Sequence, residues 1–186
     1  MNQGSVNIAR ATAGLEVFFG ALNLPESARA ETDGSAARVA RLYAEVLCAG
    51  YNYDALTDLA QDVLATSSRD RIVIRDLQLR TTCPHHLLPA VGTASVWLSP
   101  GGSILGLGAY GRALSKLAAR LVLQETLAAD YADALFTSLN PSGVLVCLEL
   151  SHGCMVASGE CAEGSRVRTL AARGDVPESA YVELAR

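Results

Sequence analysis

Histidine and cysteine residues concentrate in two short segments of this chain. Residues 83–86 read Cys-Pro-His-His, and residues 152–154 read His-Gly-Cys. Together the two segments hold all three histidines of the sequence. Cysteine thiolates and neutral imidazoles are ligands that Zn²⁺ prefers in proteins. The clustering therefore predicts that the two segments meet at a metal ion and that this ion takes part in the chemistry of the protein.

The spacing of these residues predicts which of them bind the metal. Cys83 and His86 are three residues apart, so one loop can place both on a single ion. His152 and Cys154 are two residues apart at the end of a predicted strand, where both side chains point the same way. Cys83, His86 and Cys154 would form a three-ligand zinc site with one open position, which is typical of catalytic zinc. His85 and His152 would then lie beside the metal as proton carriers.

A structural zinc site is the alternative. Two cysteines and two histidines would close the coordination sphere and fix the loop to the strand. Spacing alone favours neither type of site, but five candidate ligands exceed the four that a structural site needs, which favours catalysis. Cys48 and Cys147 occupy positions typical of a buried core. Cys161 lies in a polar loop and is either an additional metal ligand or a residue without a functional role.

The hydrophobic pattern predicts the elements that position these residues. Apolar residues at helical spacing predict helices over 6–22, 35–47, 55–65 and 110–139. Alternating and β-branched residues predict strands from 71 onward and over 91–98, 103–107 and 144–150, with a bulge near Arg75-Asp76. This order predicts an α+β fold in which helices cover one face of an antiparallel sheet. We expect an N-terminal helical region, 1–68, and a catalytic domain, 69–186.

The composition limits the classes of function. The chain has 186 residues, of which 50% are hydrophobic and only 18% are charged, and this balance favours a homo-oligomer. A net charge of −4 argues against nucleic-acid and membrane partners. The sequence shows no secretory signal, and no apolar stretch approaches the roughly 20 residues of a membrane span. We therefore interpret the five cysteines as thiols and metal ligands of a cytoplasmic protein that acts on a small molecule.

Several segments together resemble the GTP cyclohydrolase I family, from about residue 35 to the C-terminus. Residues 83–89 are similar to the zinc loop of that family, which reads Cys-Glu-His-His. The other similar segments are Arg38-Val39-Ala40 followed by Tyr43, Gly106-Leu107 followed by Arg112, Gln124-Glu125, and His152-Gly153-Cys154-Met155. Their order and spacing agree with the family pattern, which makes the resemblance specific.

The resemblance implies a fold, an assembly and an activity. The fold is the tunnelling fold (T-fold), in which an antiparallel sheet with helices on one face joins other subunits in an oligomeric β-barrel. The assembly is a homodecamer with active sites at subunit interfaces. The activity is the zinc-dependent hydrolytic opening of the imidazole ring at C8 of GTP. Formate is released, and the product, 7,8-dihydroneopterin triphosphate, is a pterin of folate biosynthesis.

The resemblance also implies roles for residues around the metal. His85 would protonate the ring nitrogen beside C8, and His152 would serve the later proton transfers at the opened ribose. Glu125 would accept hydrogen bonds from the guanine N1–H and 2-amino group, which selects guanine over adenine. Gln124 would join Glu125 in the substrate-binding site. Without the resemblance, Glu125 would be interpreted as a solvated carboxylate on a helix.

The phosphate-binding part of the family pattern is incomplete. The resemblance assigns Arg38 and Arg112 to the substrate phosphates, although the sequence alone favours surface salt bridges for both. The Ser-Lys pair of the family is Gly-Ala at 108–109, and an arginine that the family has four residues after the second ligand cysteine is Ser158. The lysine and arginine of the family clamp the triphosphate. Their candidate replacements here are Lys116, Arg166 and Arg168.

Three functions are compatible with this pattern. The first is a divergent GTP cyclohydrolase I. The second is a relative that opens a guanine-like purine without the triphosphate, such as a nucleoside, a base or an oxidised base. The third is a non-catalytic, zinc-stapled barrel that binds a pterin. Because the third function leaves His85 and His152 without a purpose, we favour an enzyme and take the family reaction as the first hypothesis.

Overall fold

The chain forms helices first and then an antiparallel sheet interleaved with further helices. The computed structural model describes residues 6–159 and 164–185. Its α-helices are α1 (Ile8–Ala21), α2 (Glu26–Glu31), α3 (Ser35–Leu42), α4 (Ala55–Ala60), α5 (Leu107–Ala118), α6 (Gln124–Leu139), α7 (Gly153–Ala157) and α8 (Glu178–Ala185). Its strands are β1 (Val63–Ala65), β2 (Ile72–Thr82), β3 (Pro89–Ser99), β4 (Ser103–Leu105), β5 (Gly143–His152) and β6 (Val167–Gly174). A π-helical turn (Tyr43–Leu47) and a 3₁₀ turn (Ala49–Asn52) follow α3.

Four long strands form the central sheet in the order β2-β3-β5-β6, and every neighbouring pair is antiparallel. The register of β3 and β5 places Ala90 opposite His152 and Ser99 opposite Gly143. Strands β1 and β4 form a separate antiparallel pair. The predicted combination of helices with an antiparallel sheet is therefore confirmed, and the register brings the end of β5 to the start of β3.

The predicted bulge in β2 is confirmed. The pairing of β2 with β3 shifts between Ile74 and Leu77, and Asp76 adopts a positive φ of 56°. A bulge adds one residue to a strand, so the side chains before and after it can face the same side of the sheet. Ile72 and Ile74 therefore pack on the same core as Leu77, although their sequence parity differs.

Helices α5 and α6 cover one face of the sheet and enclose the main core. Tyr110 of α5 and Tyr131 of α6 are almost completely buried there, and the Tyr131 hydroxyl donates to the Tyr110 carbonyl oxygen at 2.9 Å. Helix α8 packs on part of the opposite face against Trp97 and Leu145. The prediction that helices cover a single face is thus only partly correct, because Trp97 and Leu145 make an apolar area on the second face that α8 covers.

The single helix predicted over 110–139 is wrong, because α5 and α6 are separate helices. Ala119 leaves the helical conformation with a ψ of 53°, and Leu121 forms a parallel bridge with Thr82. The Val122 N–H also donates to the Thr82 carbonyl oxygen at 3.3 Å. Residues 119–123 contain neither glycine nor proline. The break therefore results from pairing with the distant strand β2 and not from a local helix breaker.

Two other predicted helices differ in extent. The helix expected over 55–65 ends at Ala60, and Val63–Ala65 pairs with β4 as a strand. The helix expected over 35–47 changes from α-helical to π-helical geometry at Tyr43. Within the described ranges, no helix combines the length and the apolar character that crossing a membrane requires.

Candidate metal centre

The loop between β2 and β3 holds the first two candidate ligands. The Cys83 N–H donates to the Leu88 carbonyl oxygen, and the Leu87 N–H donates to the Cys83 carbonyl oxygen, both at 2.9 Å. Leu87 has a positive φ of 57°, which closes this tight turn. The Tyr43 hydroxyl donates to the Leu87 carbonyl oxygen and so ties the loop to the π-helical turn. These bonds fix the backbone that carries Cys83 and His86.

The third candidate ligand lies on helix α7, beside the start of β3. The prediction that Cys154 lies on a strand with His152 is wrong, since α7 begins at Gly153. A Cβ atom at Gly153 would lie 2.8 Å from the Pro89 carbonyl oxygen. Because real Cβ atoms do not approach backbone oxygens so closely, glycine is required for α7 to start against β3. This close approach brings Cys154 to the loop of Cys83.

The three predicted metal ligands meet in the structure. Cys83, His86 and Cys154 each offer one ligand atom, and these atoms all lie within 4.8 Å of one another. The Cys83 Sγ lies 3.9 Å from His86 Nδ1. Tetrahedral ligands that bind one zinc at about 2.0–2.3 Å lie roughly 3.5–3.8 Å apart, so a small contraction of this group fits the ion. His86 is exposed and the two cysteines are half-buried.

The pKa of the Cys83 thiol is lowered and that of the Cys154 thiol is raised, and a bound cation would favour the thiolate form of both. Burial raises the pKa of the Cys83 thiol, but the backbone N–H groups of His86 and His85 and the side chains of His86 and Cys154 lower it below its ordinary value. The pKa of the Cys154 thiol is raised, first by burial and then by its neighbour Cys83. A second thiolate is unfavourable beside the first. A metal ion between the two sulfur atoms would remove this conflict, so the donor set fits zinc.

His152 is held by a buried hydrogen-bond network around Gln124. The Gln124 side chain is only 3% exposed, and its amide nitrogen donates to the carbonyl oxygens of Leu148 at 3.2 Å and Val167 at 2.9 Å. Its amide oxygen lies 2.7 Å from His152 Nε2. Because both amide hydrogens are used, the oxygen must accept from a protonated Nε2. The network thus leaves Nδ1 as the basic nitrogen of a neutral His152.

The same region connects the metal loop to helix α6. The Thr81 hydroxyl donates to the Ala118 carbonyl oxygen at 2.9 Å, and Thr82 pairs with Leu121 and Val122. Strand β2 therefore fixes the start of the metal loop and the entry to α6, where Gln124 begins the helix. The sequence alone indicates no role for Tyr43 or for this connection, because both depend on contacts between residues far apart in the chain.

The other predicted site residues near the loop are exposed. His85 lies beside His86, with ring centroids 6.3 Å apart, and its side chain is not part of the ligand group. Glu125 follows Gln124 in the first turn of α6 and is exposed to solvent. Cys147 is buried, as expected, whereas Cys48 is only half-buried. Cys161 lies outside the described residues.

The predicted phosphate ligands near α5 already have partners. Arg112 Nη2 lies 2.6 Å from Asp62 Oδ2, and Lys116 Nζ lies 3.0 Å from Asp58 Oδ1. These pairs neutralise both cations of the region. Three further residues have other contacts: Arg38 donates to the Asp33 carbonyl and to Ser35 Oγ, Arg168 donates to Glu149, and Ser158 donates to the Met155 carbonyl.

Comparisons with known proteins identify the family to which this chain is similar. Residues 21–184 match the family model for GTP cyclohydrolase I. The chain is 40% identical to GTP cyclohydrolase 1 of Leifsonia xyli subsp. xyli over 144 residues, which are 77% of this chain and 75% of that protein. It is 38% identical to GTP cyclohydrolase 1 of Pelotomaculum thermopropionicum over 142 residues, which are 76% and 74% of the two chains.

Among solved structures, the chain is similar to archaeosine synthase QueF-Like in the apo form, with a TM-score of 0.46 and 23% sequence identity. The match covers 60% of this chain and 100% of that one. The family match extends over most of the sequence and includes every segment of the candidate centre. With two relatives near 40% identity that each cover about three quarters of it, this chain belongs to the GTP cyclohydrolase I family.

Proposed function

We propose that this protein is a zinc-dependent hydrolase that opens the imidazole ring of GTP at C8, releases formate and forms 7,8-dihydroneopterin triphosphate. One observation supports this most directly: Cys83, His86 and Cys154 converge, and His152, oriented by Gln124, lies two residues from one of them. Zinc bound to this donor set would act as a Lewis acid and would lower the pKa of a water ligand to about 7.

The two remaining histidines would move protons during the reaction. His152 presents Nδ1 as its basic nitrogen because Gln124 occupies Nε2, so Nδ1 is the atom that would exchange protons with the opened ribose. His85 lies on the same loop as two metal ligands and is exposed, which suits protonation of the imidazole nitrogen beside C8. General acid–base groups of this kind contribute about 10²–10⁴-fold to a rate.

Glu125 would select the guanine base. Its carboxylate lies in the first turn of α6, adjacent to the residue that anchors His152. Two oxygens on one carboxylate can accept both the N1–H and the 2-amino group of guanine, whereas adenine offers no such pair of donors. Gln124 would act behind this contact, since its amide nitrogen donates to two backbone carbonyls and its oxygen accepts from His152. Arg38 and Arg112 would contact phosphates only after giving up their present partners.

The assembly would be the oligomeric T-fold barrel, as a homodecamer with sites at subunit interfaces in a cytoplasmic enzyme. Helix α1 packs on α3 without fully burying any of its residues, and its Val17 is 74% and Phe18 55% exposed. Apolar surface of this kind is typical of a protein interface. We propose that the helical region 1–68 contributes to subunit contacts and that 69–186 is the catalytic domain, although β1 of the first region pairs with β4 of the second.

A direct assay tests this function. The purified, zinc-loaded protein is incubated with GTP, and formate and pterin products are measured by mass spectrometry. We expect stoichiometric formate and dihydroneopterin triphosphate, and a Cys83→Ser variant should form neither. Release of formate without ring closure would limit the activity to ring opening. Absence of both products from a zinc-loaded protein would contradict the proposal.

A second candidate function is hydrolysis of a guanine compound that lacks the triphosphate. The observation that favours it is the neutralisation of Arg112 by Asp62 and of Lys116 by Asp58, beside the glycine and alanine at 108–109. Incubation with GTP, GMP, guanosine, guanine and 8-oxoguanine separates the two candidates. Turnover of GTP alone would exclude the second, and faster turnover of guanosine or a free base would favour it over the first.

A further inference from the structure

A second cleft next to the metal loop wraps around the outer edge of β2, from Ser115, Ala118 and Ala119 at the end of α5 to the sheet face turned away from that helix. This cleft, here called the sheet-face cleft, has a volume of about 850 Å³, and its lining includes Arg80, Arg166, Val91 and Ser151. Its lining also includes Thr82, which precedes the ligand Cys83, and Ser151 precedes His152. The cleft therefore adjoins both segments of the candidate metal centre.

The strand register aligns the charged residues of this cleft in one row. Arg80 of β2 lies opposite Val91 of β3, and Val91 lies opposite Ser151 of β5. Leu150 pairs with Val167, so Arg166 continues the row beyond Ser151. Three strand spacings of about 4.8 Å separate the two ends, roughly 14 Å in all. Arg80 and Arg166 thus lie at the two ends of a row whose middle positions are Val91 and Ser151. The side chain of Val91 is accessible, since the residue is 50% exposed.

The charge of the sheet-face cleft is not compensated by the described part of the chain. Arg80 and Arg166 are its only charged lining residues, and neither forms an ion pair with a carboxylate in residues 6–159 or 164–185. The net charge of the whole chain is −4. Glu149, the nearest carboxylate along β5, is already paired with Arg168. Two arginines that are unpaired within the described residues create a local positive potential on an otherwise acidic protein, and this potential attracts anions to the cleft.

The lining also offers the donors that a phosphate group needs. Arginine presents a planar fork of N–H groups that binds two phosphate oxygens at once. Ser151 adds a hydroxyl group between the two arginines, and Thr82 and Thr93 line the cleft on either side of this row. The cleft beside α5 differs, because its cations Arg112 and Lys116 are neutralised by Asp62 and Asp58.

We propose that the sheet-face cleft binds the phosphates of a nucleotide through Arg80 and Arg166. The identity of the ligand rests on the proposed function, because a guanine nucleotide is its expected substrate. Either the phosphates belong to the substrate at the metal centre, or they belong to a separate nucleotide that binds beside it. In the first case the cleft supplies the positive charge that the region of α5 lacks. In the second it is a site for an effector.

Binding of inorganic pyrophosphate to the zinc-loaded protein tests the cleft without depending on turnover. The titration is followed by calorimetry in excess Mg²⁺, and zinc content is measured before and after it to exclude chelation. Arg80→Gln and Arg166→Gln should each weaken binding about tenfold or more, because a charge-assisted hydrogen bond to each side chain is lost. Arg80→Lys keeps the charge but loses the fork, so it should weaken binding less than Arg80→Gln.

The matched control is Arg69→Gln, which removes an exposed arginine from the segment between β1 and β2. Pyrophosphate affinity of the Arg80→Gln/Arg166→Gln double variant within twofold of this control would overturn the proposal. So would failure of the native protein to bind pyrophosphate. Affinity of the native protein should also fall as salt is raised, and an affinity independent of salt would likewise overturn it.

Kinetics with GTP and guanosine then distinguish the two sources of phosphate. If the substrate phosphates occupy the cleft, the double variant should raise the KM for GTP at least tenfold more than the KM for guanosine. Equal changes in the two KM values, together with weakened pyrophosphate binding, assign the cleft to a separate nucleotide. Arginine-dependent pyrophosphate binding by a protein that hydrolyses no purine would support the cleft and contradict the proposed function, so the two failures are distinguishable.

Discussion

The amide oxygen of Gln124 lies 2.7 Å from Nε2 of His152 and accepts a hydrogen bond from it. Gln124 is almost completely buried, and its amide nitrogen is committed to two backbone carbonyls, so the side chain cannot rotate without losing three hydrogen bonds. The imidazole is therefore oriented from the core of the protein, whereas the candidate metal ligands are oriented by a loop and a short helix. Catalysis would depend on holding these two parts together.

Replacing Gln124 with leucine tests the orientation of His152. We expect kcat to fall about 10²-fold or more, because the imidazole loses its fixed tautomer and position. Zinc content should not change, since Gln124 is not a metal ligand. The ¹⁵N NMR spectrum of the native protein should show His152 protonated at Nε2, and the variant should show a mixture of tautomers.

Stability must be measured alongside this variant. The carbonyls of Leu148 and Val167 lose their donor, which costs about 1–3 kcal/mol in free energy of unfolding. Gln61→Ala, at an exposed position after α4, is the control. An unchanged kcat and an unchanged imidazole spectrum in folded Gln124→Leu would show that Gln124 does not position His152.

The Tyr43 hydroxyl should contribute to zinc affinity through the loop. It donates to the Leu87 carbonyl oxygen, at a residue whose positive φ closes the turn that carries Cys83 and His86. Tyr43→Phe removes only this hydroxyl, and groups that orient metal ligands are typically worth 10–100-fold in metal affinity, so we expect about a tenfold loss. Competition with a chelator measures it.

The control for this change is Tyr181→Phe in α8, which removes a hydroxyl from a partly exposed ring on another part of the protein. Its zinc affinity should equal that of the native protein. A Tyr43→Phe protein that retains native zinc affinity would contradict the role assigned to the loop anchor.

Gly153→Ala should disturb the metal centre by moving α7. The new Cβ would lie 2.8 Å from the Pro89 carbonyl oxygen, which belongs to the backbone of β3 and cannot move freely. The start of α7 must therefore shift, and Cys154 with it, so we expect weaker zinc binding and lower stability. Zinc content and thermal unfolding measure these effects.

Gly14→Ala is the matched glycine control for this variant. Nothing lies within 4 Å of a Cβ at Gly14, and the residue lies inside α1. Because alanine is a better helix former, this change should raise stability by about 0.5–1 kcal/mol and leave zinc binding unaltered. Equal zinc contents in the two variants would argue against the close approach of α7 and β3.

The ion pair between Asp133 of α6 and Arg173 of β6 should make stability depend on pH. The hydrogen bond from Arg173 lowers the pKa of the Asp133 carboxyl below its ordinary value of 3.8. A carboxyl whose pKa is lowered by folding stabilises the folded state at pH values above its ordinary pKa. This contribution is lost as the pH falls through the folded-state pKa. Asp133 is more than half exposed, so Asp133→Asn should cost only about 0.2–1 kcal/mol at pH 7.

Urea unfolding at a series of pH values measures this difference. The gap between Asp133→Asn and the native protein should close at acidic pH, below 3.8. Asp175→Asn, at an exposed position outside the ion pairs of the described residues, should differ little from the native protein throughout. A gap that persists unchanged at acidic pH would contradict the ion-pair explanation.

The sequence predicts features that depend on local pattern and composition. Alternating and β-branched residues identified β2 to β5 and even the bulge at Asp76, because side-chain parity follows the pleat of the sheet, whereas β1 and β6 were not predicted. The candidate metal ligands Cys83, His86 and Cys154 were identified because their residue types are rare and clustered. Both depend on information within a few neighbouring residues.

The features that the sequence did not predict depend on distant contacts. Residues 119–123 have the composition of a helix, and only their pairing with Thr82 ends α5 there. The placement of Cys154 on α7 follows from the contact of Gly153 with Pro89. The role of Gln124 follows from carbonyl groups on β5 and at the start of β6. No local pattern encodes such contacts.

Zinc content per chain tests the central claim most directly. The native protein should contain one zinc ion per chain, and so should His85→Ala, His152→Ala and the control Cys48→Ser. Zinc should be lost from Cys83→Ser, His86→Ala and Cys154→Ser, because each removes one of three ligands and leaves an incomplete site. Zinc loss in His85→Ala as large as that in Cys83→Ser, or full zinc content in Cys154→Ser, would contradict the account.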